Sequence, residues 1–371
     1  MTTSGLEDTD APALMRDLVS AMSGSVDAPW DAGLFDALAL RAFRHQFEGN
    51  RPYRAYCAAR GATPDTVRGW AEVPVVPVAA FKALELVVGP AADVDAVFRT
   101  SGTTMGGGSR GAHFVPDLGL YEASLLPTFR RRVVSDVERL PFVSLIPSPE
   151  ALADSSLSHM VGAASERFGS EVTWVVDGNG RWDLDALDRA LHSAERSDQH
   201  VLLLGTAFAF VHALEQDPPV LRRLPAGSRI METGGFKGRS RALPKHELHA
   251  LLTDRTGVPR ERIVNEYGMT ELLSQLYEPV LAEGVQGADR HVPPPWLKVR
   301  ALDPVTLEPM DEGEEGILAF FDLANVGSVC HTLTEDVGSV REGRVHLVGR
   351  SAGAEPRGCS RAMDELMSAA R

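Results

Sequence analysis

The chain has 371 residues, 44% of them apolar and 24% charged, so it can bury a sizeable core in one large or two modest domains. Its net charge of −14 repels a phosphate backbone, and no basic patch offsets that charge, so we expect no nucleic-acid binding. No apolar run approaches the roughly 18 residues that a membrane span needs. Residues 1–12 lack the basic and apolar regions of a signal peptide, so the sequence predicts a cytoplasmic protein without a membrane span.

The N-terminal part of the chain predicts helices. Residues 1–12 are acidic and polar, which is typical of a loose tail. Apolar residues then recur at helical spacing through residues 34–47, so we expect the first sixty residues to be helical. The run VPVVPVAAF (73–81) is too rich in proline for a central strand or a helix, and it predicts an extended connector.

From residue 94 onwards, short β-rich runs alternate with helical patterns. A run over 94–98 comes first, and a helical pattern at 183–195 begins with Asp183 as a cap. Five further runs predict strands: 142–147, 171–176, 200–205, 228–233 and 261–266. This alternation indicates an α/β fold.

After three prolines at 293–295 the pattern changes to strands joined by tight turns, which predicts antiparallel hairpins. The chain ends in a helix-like segment at 363–370. We therefore predict a division of the chain into four parts: a helical N-terminal region (1–70), an α/β core (71–290), a hairpin-rich subdomain (291–350) and a short C-terminal tail (351–371).

Residues 99–111 read RTSGTTMGGGSRG and contain almost nothing that could fill a core. Glycines allow backbone N–H groups to come close to a ligand, and such nests bind polyphosphate oxygens. The segment lacks the G-x-x-x-x-G-K-[ST] pattern of a P-loop. Taken by itself, it could equally be a mobile glycine-rich loop.

Three later segments favour the nucleotide interpretation: TGGFKGR (233–239), NEYGMTE (265–271) and TEDVGSVREGRVHLVGR (334–350). Together with SGTT, and in this order, they resemble the motifs of the AMP-forming adenylating enzymes, the acyl-CoA synthetase and luciferase superfamily. Within it, the runs FRTSGTT, VLLLGTAFAF, ETGGFKGRSR and PRGCS look most like the acyl-protein synthetase (LuxE-type) family of bacterial fatty-acid reductase complexes. The resemblance covers roughly residues 70–360. It implies the large N-terminal domain of an adenylating enzyme with a β-rich subdomain.

The resemblance also implies a reaction, in which ATP and Mg²⁺ activate a carboxylic acid, expected to be fatty, as an acyl-adenylate. Because carboxylate and phosphate repel each other, positioning and fixed positive potential must supply most of the catalysis. The implied phosphate-binding and catalytic residues are Ser101, Gly102, Thr103, Thr104, Arg110, Lys237 and Thr270. The implied adenine and ribose residues are Gly234, Gly235, Tyr267, Gly268, Asp336 and Arg350, and Glu271 would hold Mg²⁺.

Several of these residues also have simpler interpretations. Thr270 could cap a helix over LLSQLY, and Gly234 with Gly235 could form a strand-ending turn. Asp336 and Arg350 could be a solvated pair, and Lys237 could be a surface lysine. His159 lies about where the superfamily has a motif that lines the acyl pocket, but a structural histidine is an equally good interpretation.

The sequence departs from the superfamily at two points. Arg110 stands where the glycine segment usually ends in lysine, which keeps the charge but changes the hydrogen-bond geometry. Conventional members also carry a mobile C-terminal domain with a late lysine, whereas only 21 residues follow Arg350 and none is lysine. We expect that domain to be missing, so that Mg²⁺, Arg110, Arg350 or Lys237 must meet the charge of the α-phosphate.

The acyl acceptor is a separate question. The three cysteines lie far apart without a C-x-x-C spacing, which argues against a disulfide framework or a zinc site. In acyl-protein synthetases the acyl group passes to a cysteine near the C-terminus, and Cys359 matches that position. We expect Arg357 to favour its thiolate and Gly358 to give access, and we expect Cys57 (helical) and Cys330 (in a strand) to be structural.

Two alternatives remain from the sequence. The first is an acid:CoA ligase or a loader of carrier proteins, in which an external thiol takes the acyl group and Cys359 is idle. The second is a nucleotide-binding subunit without turnover that helps to assemble a reductase complex. Under the main hypothesis, the partner of the acylated enzyme would be a reductase or a carrier protein.

Overall fold

The computed structural model describes residues 11–100, 110–234, 243–350 and 357–370. Its first elements are helices, as the apolar spacing predicted: α1 (Ala11–Met22), α2 (Ala32–Gly49) and α3 (Arg51–Ala59). Asp31 accepts a hydrogen bond from the Gly33 N–H at the start of α2, and Asn50 does the same for the Tyr53 N–H at the start of α3. Side-chain caps therefore fix where both helices begin.

The predicted connector at 73–81 is only partly extended. It contains β1 (Val76–Pro77), which pairs in parallel with residues 332–333, and then a 3₁₀ helix over Val78–Lys82. The segment forms no central strand, as expected, but the sequence did not predict the short edge strand or the 3₁₀ helix. A proline is tolerated here because β1 lies at a sheet edge, where no neighbour needs its missing N–H donor.

A hairpin follows, made of β2 (Ala96–Arg99) and β3 (Ala112–Val115). Arg99 pairs with Ala112, so the glycine-rich segment connects the two strands. Thr100 donates its N–H to the Gly111 carbonyl at 2.9 Å, which closes the base of that connection.

The main sheet contains all five strands that the sequence predicted. Within the described residues it has the strand order β5-β4-β6-β7-β8-β9, parallel except for β9. Its elements and the helices that connect them are α4 (Leu118–Arg132), β4 (Leu140–Ser144), α5 (Ser156–Phe168), β5 (Gly169–Trp174), α6 (Leu184–Ser197), β6 (Leu202–Thr206), α7 (Ala207–Leu214), β7 (Arg229–Thr233), α8 (Lys245–Thr256), β8 (Ile263–Tyr267), β9 (Leu276–Tyr277) and α9 (Val280–Glu283).

The parallel strands bring the ends of separate motifs to one edge of this sheet. Thr206 pairs with Thr233, and Thr233 pairs with Glu266, one residue before Tyr267. Ligands of open α/β sheets bind at the carboxyl ends of the strands. The TGG and YGMTE segments therefore begin side by side where a ligand is expected.

The second sheet confirms the predicted hairpins. It consists of β10 (Leu297–Leu302), β11 (Glu315–Asp322), β12 (His331–Arg341) and β13 (Arg344–Arg350), with antiparallel pairs β10–β11, β11–β12 and β12–β13. Edge strand β1 completes the sheet. The sequence had placed Cys330 in a strand. In the structure it immediately precedes β12 and is not a strand residue.

The terminal helix α10 (Arg357–Ala369) starts six residues earlier than the predicted segment. Glu365 of α10 pairs with Arg60 at the end of α3, and Leu366 is fully buried. The last helix therefore packs back onto the N-terminal helices.

One hydrophobic cluster contains residues from all four parts into which the sequence analysis divided the chain. It includes Leu14, Phe35, Phe142, Trp296 and Leu366, which lie in or beside α1, α2, β4, β10 and α10. Gln46 of α2 is also buried and donates to the Asn325 carbonyl at 3.0 Å. In the part of the chain that the structure describes, no helix is both long and apolar enough to cross a bilayer.

Candidate active site

Tyr267, at the end of β8, connects the two sheets. Its hydroxyl donates to Asp336 Oδ2 on β12 at 2.7 Å, and its ring stacks on Phe320 of β11 with centroids 5.6 Å apart. Burial and, after it, the Asp336 carboxylate raise the pKa of Tyr267 well above its usual value, so the hydroxyl keeps its proton. The tyrosine is thus held in one orientation at the carboxyl edge of the main sheet.

Asp336 also contacts Arg350, the last residue of β13. The two residues are direct partners in the β12–β13 ladder, and Arg350 Nε donates to Asp336 Oδ1 at 3.1 Å. The Asp336 side chain is 17% exposed and that of Arg350 is 63% exposed, so this is a half-buried pair and not a fully solvated one. Burial alone would lower the pKa of Arg350, but the Asp336 carboxylate outweighs it and raises that pKa, so the side chain stays cationic.

The Thr270–Glu271 segment is a turn. No helix follows it before β9, so the interpretation of Thr270 as a helix cap was wrong. His113 of β3 donates from Nδ1 to the Thr270 carbonyl at 2.7 Å, and Asn325 donates to the Glu271 carbonyl at 2.6 Å. Burial lowers the pKa of His113 to about 4, partly opposed by the Thr270 carbonyl, so the ring is neutral at pH 7.

The His113 contact also brings two motifs together. His113 lies two residues beyond Gly111, at the end of the glycine-rich segment, and its partner Thr270 belongs to YGMTE. The hairpin that carries the glycine-rich segment is therefore joined to the turn that carries Thr270 and Glu271. This is the convergence that a shared nucleotide site requires.

Asp322 fixes the chain that follows this turn. Its carboxylate accepts from the Leu273 and Ser274 N–H groups at 2.9 Å each and from the Ser274 hydroxyl at 2.6 Å. Burial raises the pKa of Asp322 to about 6, although these hydrogen bonds oppose the shift. The sequence analysis missed His113, Asp322 and Asn325, because each acts on the backbone of a segment far away in the chain. The one available signal was the pair of polar residues Asp322 and Asn325, at and just after the end of the apolar run that forms β11.

Two glycines of the predicted site are accommodated differently. Gly234 follows β7 with φ +74°, a left-handed conformation that glycine tolerates, and among the described residues no atom would lie within 4 Å of a Cβ there. At Gly268 a Cβ would lie 2.5 Å from Glu266 Oε1. Gly268 therefore lets the backbone pass close to a buried carboxylate.

Arg110 is already engaged within the protein. Its Nε donates to the Thr100 carbonyl at 2.7 Å, and a second guanidinium nitrogen pairs with Asp154 Oδ2 at 2.7 Å. The side chain is 39% exposed. These contacts tie the guanidinium to the base of the glycine-rich segment, so any contact with phosphate has to be shared with Asp154.

Six predicted site residues lie outside the described residues: Ser101, Gly102, Thr103, Thr104, Gly235 and Lys237. His159 lies on α5, where its ring stacks on Tyr121 at 5.3 Å and Nε2 is 3.5 Å from Glu122 Oε1. Burial lowers the pKa of His159, with Glu122 opposing the shift.

Cys359 corrects one expectation. The thiol is 2% exposed, it packs with Val75, Leu302 and Leu333, and Sγ lies 3.8 Å from the Thr334 carbonyl oxygen. Gly358 does not give access, since its N–H donates to the Pro304 carbonyl at 2.9 Å and a Cβ there would clash with Leu307. Cys359 lies on the apolar face of α10, and this face packs against the second sheet. The thiol is therefore shielded from solvent as long as the helix is docked.

A family model described as acyl-protein synthetase, LuxE, matches residues 29–368. The chain belongs to this family. It is therefore a ligase, of the AMP-forming acid–thiol class that the motifs had indicated. A long-chain-fatty-acid–luciferin-component ligase from Aliivibrio fischeri is 26% identical over 351 residues, which cover 90% of this chain and 88% of the relative. A protein of the same description from Vibrio harveyi is 24% identical over 350 residues, 91% of this chain and 89% of the relative.

Solved structures share the fold. A 2-hydroxyisobutyryl-CoA ligase in the postadenylation state with 2-HIB-AMP matches with a TM-score of 0.62 at 14% identity, over 87% of this chain and 69% of that one. ATP-bound MatB from Rhodopseudomonas palustris matches with a TM-score of 0.50 at 19% identity, over 79% of this chain. The chain spans about 56% of the length of that MatB structure. The α/β architecture, with two larger sheets and the β2–β3 hairpin among the described residues, is thus that of the N-terminal part of adenylating enzymes.

Proposed function

We propose that this ligase joins a carboxylic acid to the α-phosphate of ATP and then passes the acyl group to a thiol. In the first step a carboxylate oxygen attacks the α-phosphorus, the bond to the bridging oxygen of the β-phosphate breaks, and pyrophosphate leaves. In the second step a thiolate attacks the acyl carbon and AMP leaves with the bonding electron pair. No oxidant or reductant is needed in either step.

The observation that carries this proposal is the continuous contact Tyr267–Asp336–Arg350 beside the Thr270–Glu271 turn. It offers an aromatic face, a carboxylate that accepts hydroxyl hydrogen bonds, and a half-exposed cation at one edge of a parallel sheet. These are the groups that adenine, ribose and the α-phosphate need. The bond from His113 to Thr270 brings the base of the glycine-rich segment to the same place.

The other nucleotide contacts follow from the family motifs. We infer that Ser101, Gly102, Thr103 and Thr104 receive the β- and γ-phosphates, and that Gly234, Gly235 and Gly268 border the adenine. Arg350 is the best placed of the described cations to meet charge on the α-phosphate, because much of its guanidinium remains exposed while Asp336 orients it. Arg110 and Lys237 are secondary candidates.

The Glu271 carboxylate would hold Mg²⁺. Mg²⁺ prefers one or two carboxylates together with phosphate oxygens and water. Among the described residues no group of three or more His, Cys, Asp or Glu side chains is arranged to hold a metal, which fits an ion shared with the nucleotide better than an all-protein site. When bound, the ion would neutralise phosphate charge. The chain's own contribution is to hold the Glu271 backbone through Asn325.

The acid is proposed to be fatty, since both curated relatives are described as long-chain-fatty-acid ligases. For the acceptor we propose Cys359, with onward transfer to a partner such as a reductase or a carrier protein. Because the thiol is buried between α10 and the second sheet, acylation requires α10 to move away from Leu307 and Thr334. The acylated helix would then present its thioester to the partner.

The burial of Cys359 also favours a second candidate, in which CoA or a carrier-protein thiol takes the acyl group directly and Cys359 stays in the core. The two candidates share the first step. They differ in where the acyl group is found when the reaction stops.

Incubation with a radiolabelled fatty acid, ATP and Mg²⁺, with and without CoA, separates the two candidates. Self-acylation predicts that label stays on the protein as a hydroxylamine-sensitive adduct, and that intact mass rises by one acyl group. The adduct should be lost in Cys359→Ser and kept in Cys57→Ser, whose cysteine is also buried. Acyl-CoA formed equally by wild type and Cys359→Ser would instead support the external acceptor.

A further inference from the structure

Glu266 is a buried acid next to the proposed reaction centre. Successive side chains of a strand point to opposite faces, so Glu266 points away from the face on which Tyr267 meets Asp336. It is 4% exposed and belongs to the interior between β7, β8 and α4. With the nucleotide on the Tyr267 side, Glu266 lies on the opposite face of the same strand, next to the backbone that leads to Thr270.

The polar groups around Glu266 form a small cluster. The Thr233 hydroxyl donates to Glu266 Oε2 from the neighbouring strand. Gln275 donates from Nε2 to the Tyr121 hydroxyl at 3.4 Å, and the tyrosine ring stacks on His159. Gln275 is only 4% exposed, and its Oε1 has no hydrogen-bond partner among the described residues.

This cluster adjoins the backbone that leads to Thr270. A Cβ at Gly268 would lie 2.5 Å from Glu266 Oε1 and 3.6 Å from Gln275 Cγ. Gly234 follows Thr233 at the end of β7, and among the described residues no atom would lie within 4 Å of a Cβ there. Glu266 Oε1 and the Gln275 side chain are therefore close to the backbone that leads to the reacting turn.

Buried acceptors without donors destabilise a folded protein, so a group that supplies donors is expected beside them. Burial, reinforced by Glu232, raises the pKa of Glu266 to about 7, although the Thr233 hydroxyl opposes the shift. Among the described residues, Gln275 Oε1 is such an acceptor, and a plain alkyl chain would leave it unsatisfied. A hydroxyl or amino group on the substrate would satisfy it.

We propose that the acid carries a hydrogen-bond donor, a hydroxyl or an amino group, near its carboxylate, and that Glu266 and Gln275 accept from it. This inference rests on the proposed acyl-adenylate chemistry. It selects among acids of any chain length, because it concerns only the few carbons next to the carboxylate.

The test is acid-dependent pyrophosphate release by the full chain with ATP and Mg²⁺. The panel contains plain, 2-hydroxy, 3-hydroxy, 2-amino and 3-amino acids, matched in length from four to fourteen carbons. Wild type should favour at least one donor-bearing acid over its plain counterpart by about tenfold or more in kcat/KM, because loss of the donor leaves the buried Gln275 Oε1 unpaired. The hydroxy and amino series distinguish the two donors.

Variants locate the effect. Gln275→Met should move the ratio of donor-bearing to plain acid towards one, whereas Glu171→Gln, on the exposed part of β5, should leave it unchanged. Plain acids that match or exceed every donor-bearing acid with wild type would overturn this inference and leave the adenylation proposal standing. Absence of release with every acid would overturn both. The wild-type comparison decides even where Gln275→Met does not fold.

Discussion

At the residue scale, the site depends on a few side chains that each hold two neighbours. Asp336 accepts from Tyr267 and from Arg350, so a single carboxylate aligns an aromatic ring and a cation from different strands. Because the Arg350 side chain is largely exposed, the half-buried ion pair between Asp336 and Arg350 would by itself stabilise the fold by less than about 1 kcal/mol. The Asp336 carboxylate mainly positions Tyr267 and Arg350. Loss of this carboxylate should therefore weaken nucleotide binding more than it lowers stability.

Asp336→Asn tests this directly. The amide keeps the shape of the side chain but loses the charge that orients Arg350, so we expect ATP to bind about tenfold more weakly in Mg²⁺, as for loss of a charged hydrogen bond. Isothermal titration calorimetry measures the affinity, and thermal unfolding should change little. Asp254→Asn, an exposed change on α8, is the matched control. Equal affinities for both variants would exclude Asp336 from the nucleotide site.

Glu266 predicts a pH dependence of stability. Burial raises its pKa from the usual 4.5 to about 7, so the native state holds this proton more tightly than the unfolded chain does. The carboxyl therefore costs nothing below pH 4.5 and destabilises the fold progressively as pH rises towards 7. Glu266→Gln removes this penalty. The difference in free energy of unfolding, variant minus wild type, should therefore rise by about 3 kcal/mol between pH 4.5 and 8.

Urea unfolding at several pH values measures that difference. Glu171→Gln serves as the control, because its carboxyl lies on an exposed strand edge and its difference from wild type should stay flat. A constant difference for Glu266→Gln would mean that Glu266 titrates as it does in water.

At the element scale, the sequence predicted those helices and strands whose buried apolar residues recur at regular spacing along the chain. All five central strands and the later hairpins agree with the prediction, since apolar runs and turn residues are local signals. What the sequence did not predict depends on long-range partners. Nothing in the sequence indicated that β12 pairs with Val76 and Pro77 at its edge. Cys359 was expected to be accessible, but it is buried because α10 docks on residues near 304 and 334.

The docking of α10 can be loosened at one position. Gly358→Ala would place a methyl group 2.6 Å from Leu307 Cδ2 and 3.0 Å from the Pro304 carbonyl oxygen, so either Leu307 or the helix has to shift, and the docking of the helix is weakened. We expect iodoacetamide to modify Cys359 at least about tenfold faster in this variant, as the open population grows with the loss of docking energy. Peptide mass spectrometry gives the rate, and Cys330, buried elsewhere, is the internal control. An unchanged rate would show that Gly358 does not hold the helix closed.

At the scale of the whole molecule, the four predicted parts share one large core. Phe35 of α2 packs edge-on against Trp70 and against Phe321 of the second sheet. The helical beginning of the chain therefore supports the sheet that carries Asp336. The sequence could not predict this packing, because apolar spacing gives the buried face of a helix and not its partner.

Phe35→Ala should therefore affect the whole fold. Removal of this ring is expected to cost about 3–5 kcal/mol, and differential scanning calorimetry should show one transition at a lower temperature. A separate early transition, with the main one unmoved, would mean that the N-terminal helices unfold as an independent unit.

The most direct test of the account is the exchange of labelled pyrophosphate into ATP, measured with wild-type protein, Mg²⁺ and a panel of carboxylic acids. Exchange reports the reversible formation of acyl-adenylate and does not depend on which thiol is the acceptor. We predict exchange that requires an acid, disappears when EDTA removes Mg²⁺ and falls at least about tenfold in Asp336→Asn. Folded protein that catalyses no exchange with any acid, or that exchanges equally without one, would contradict the proposed adenylation site.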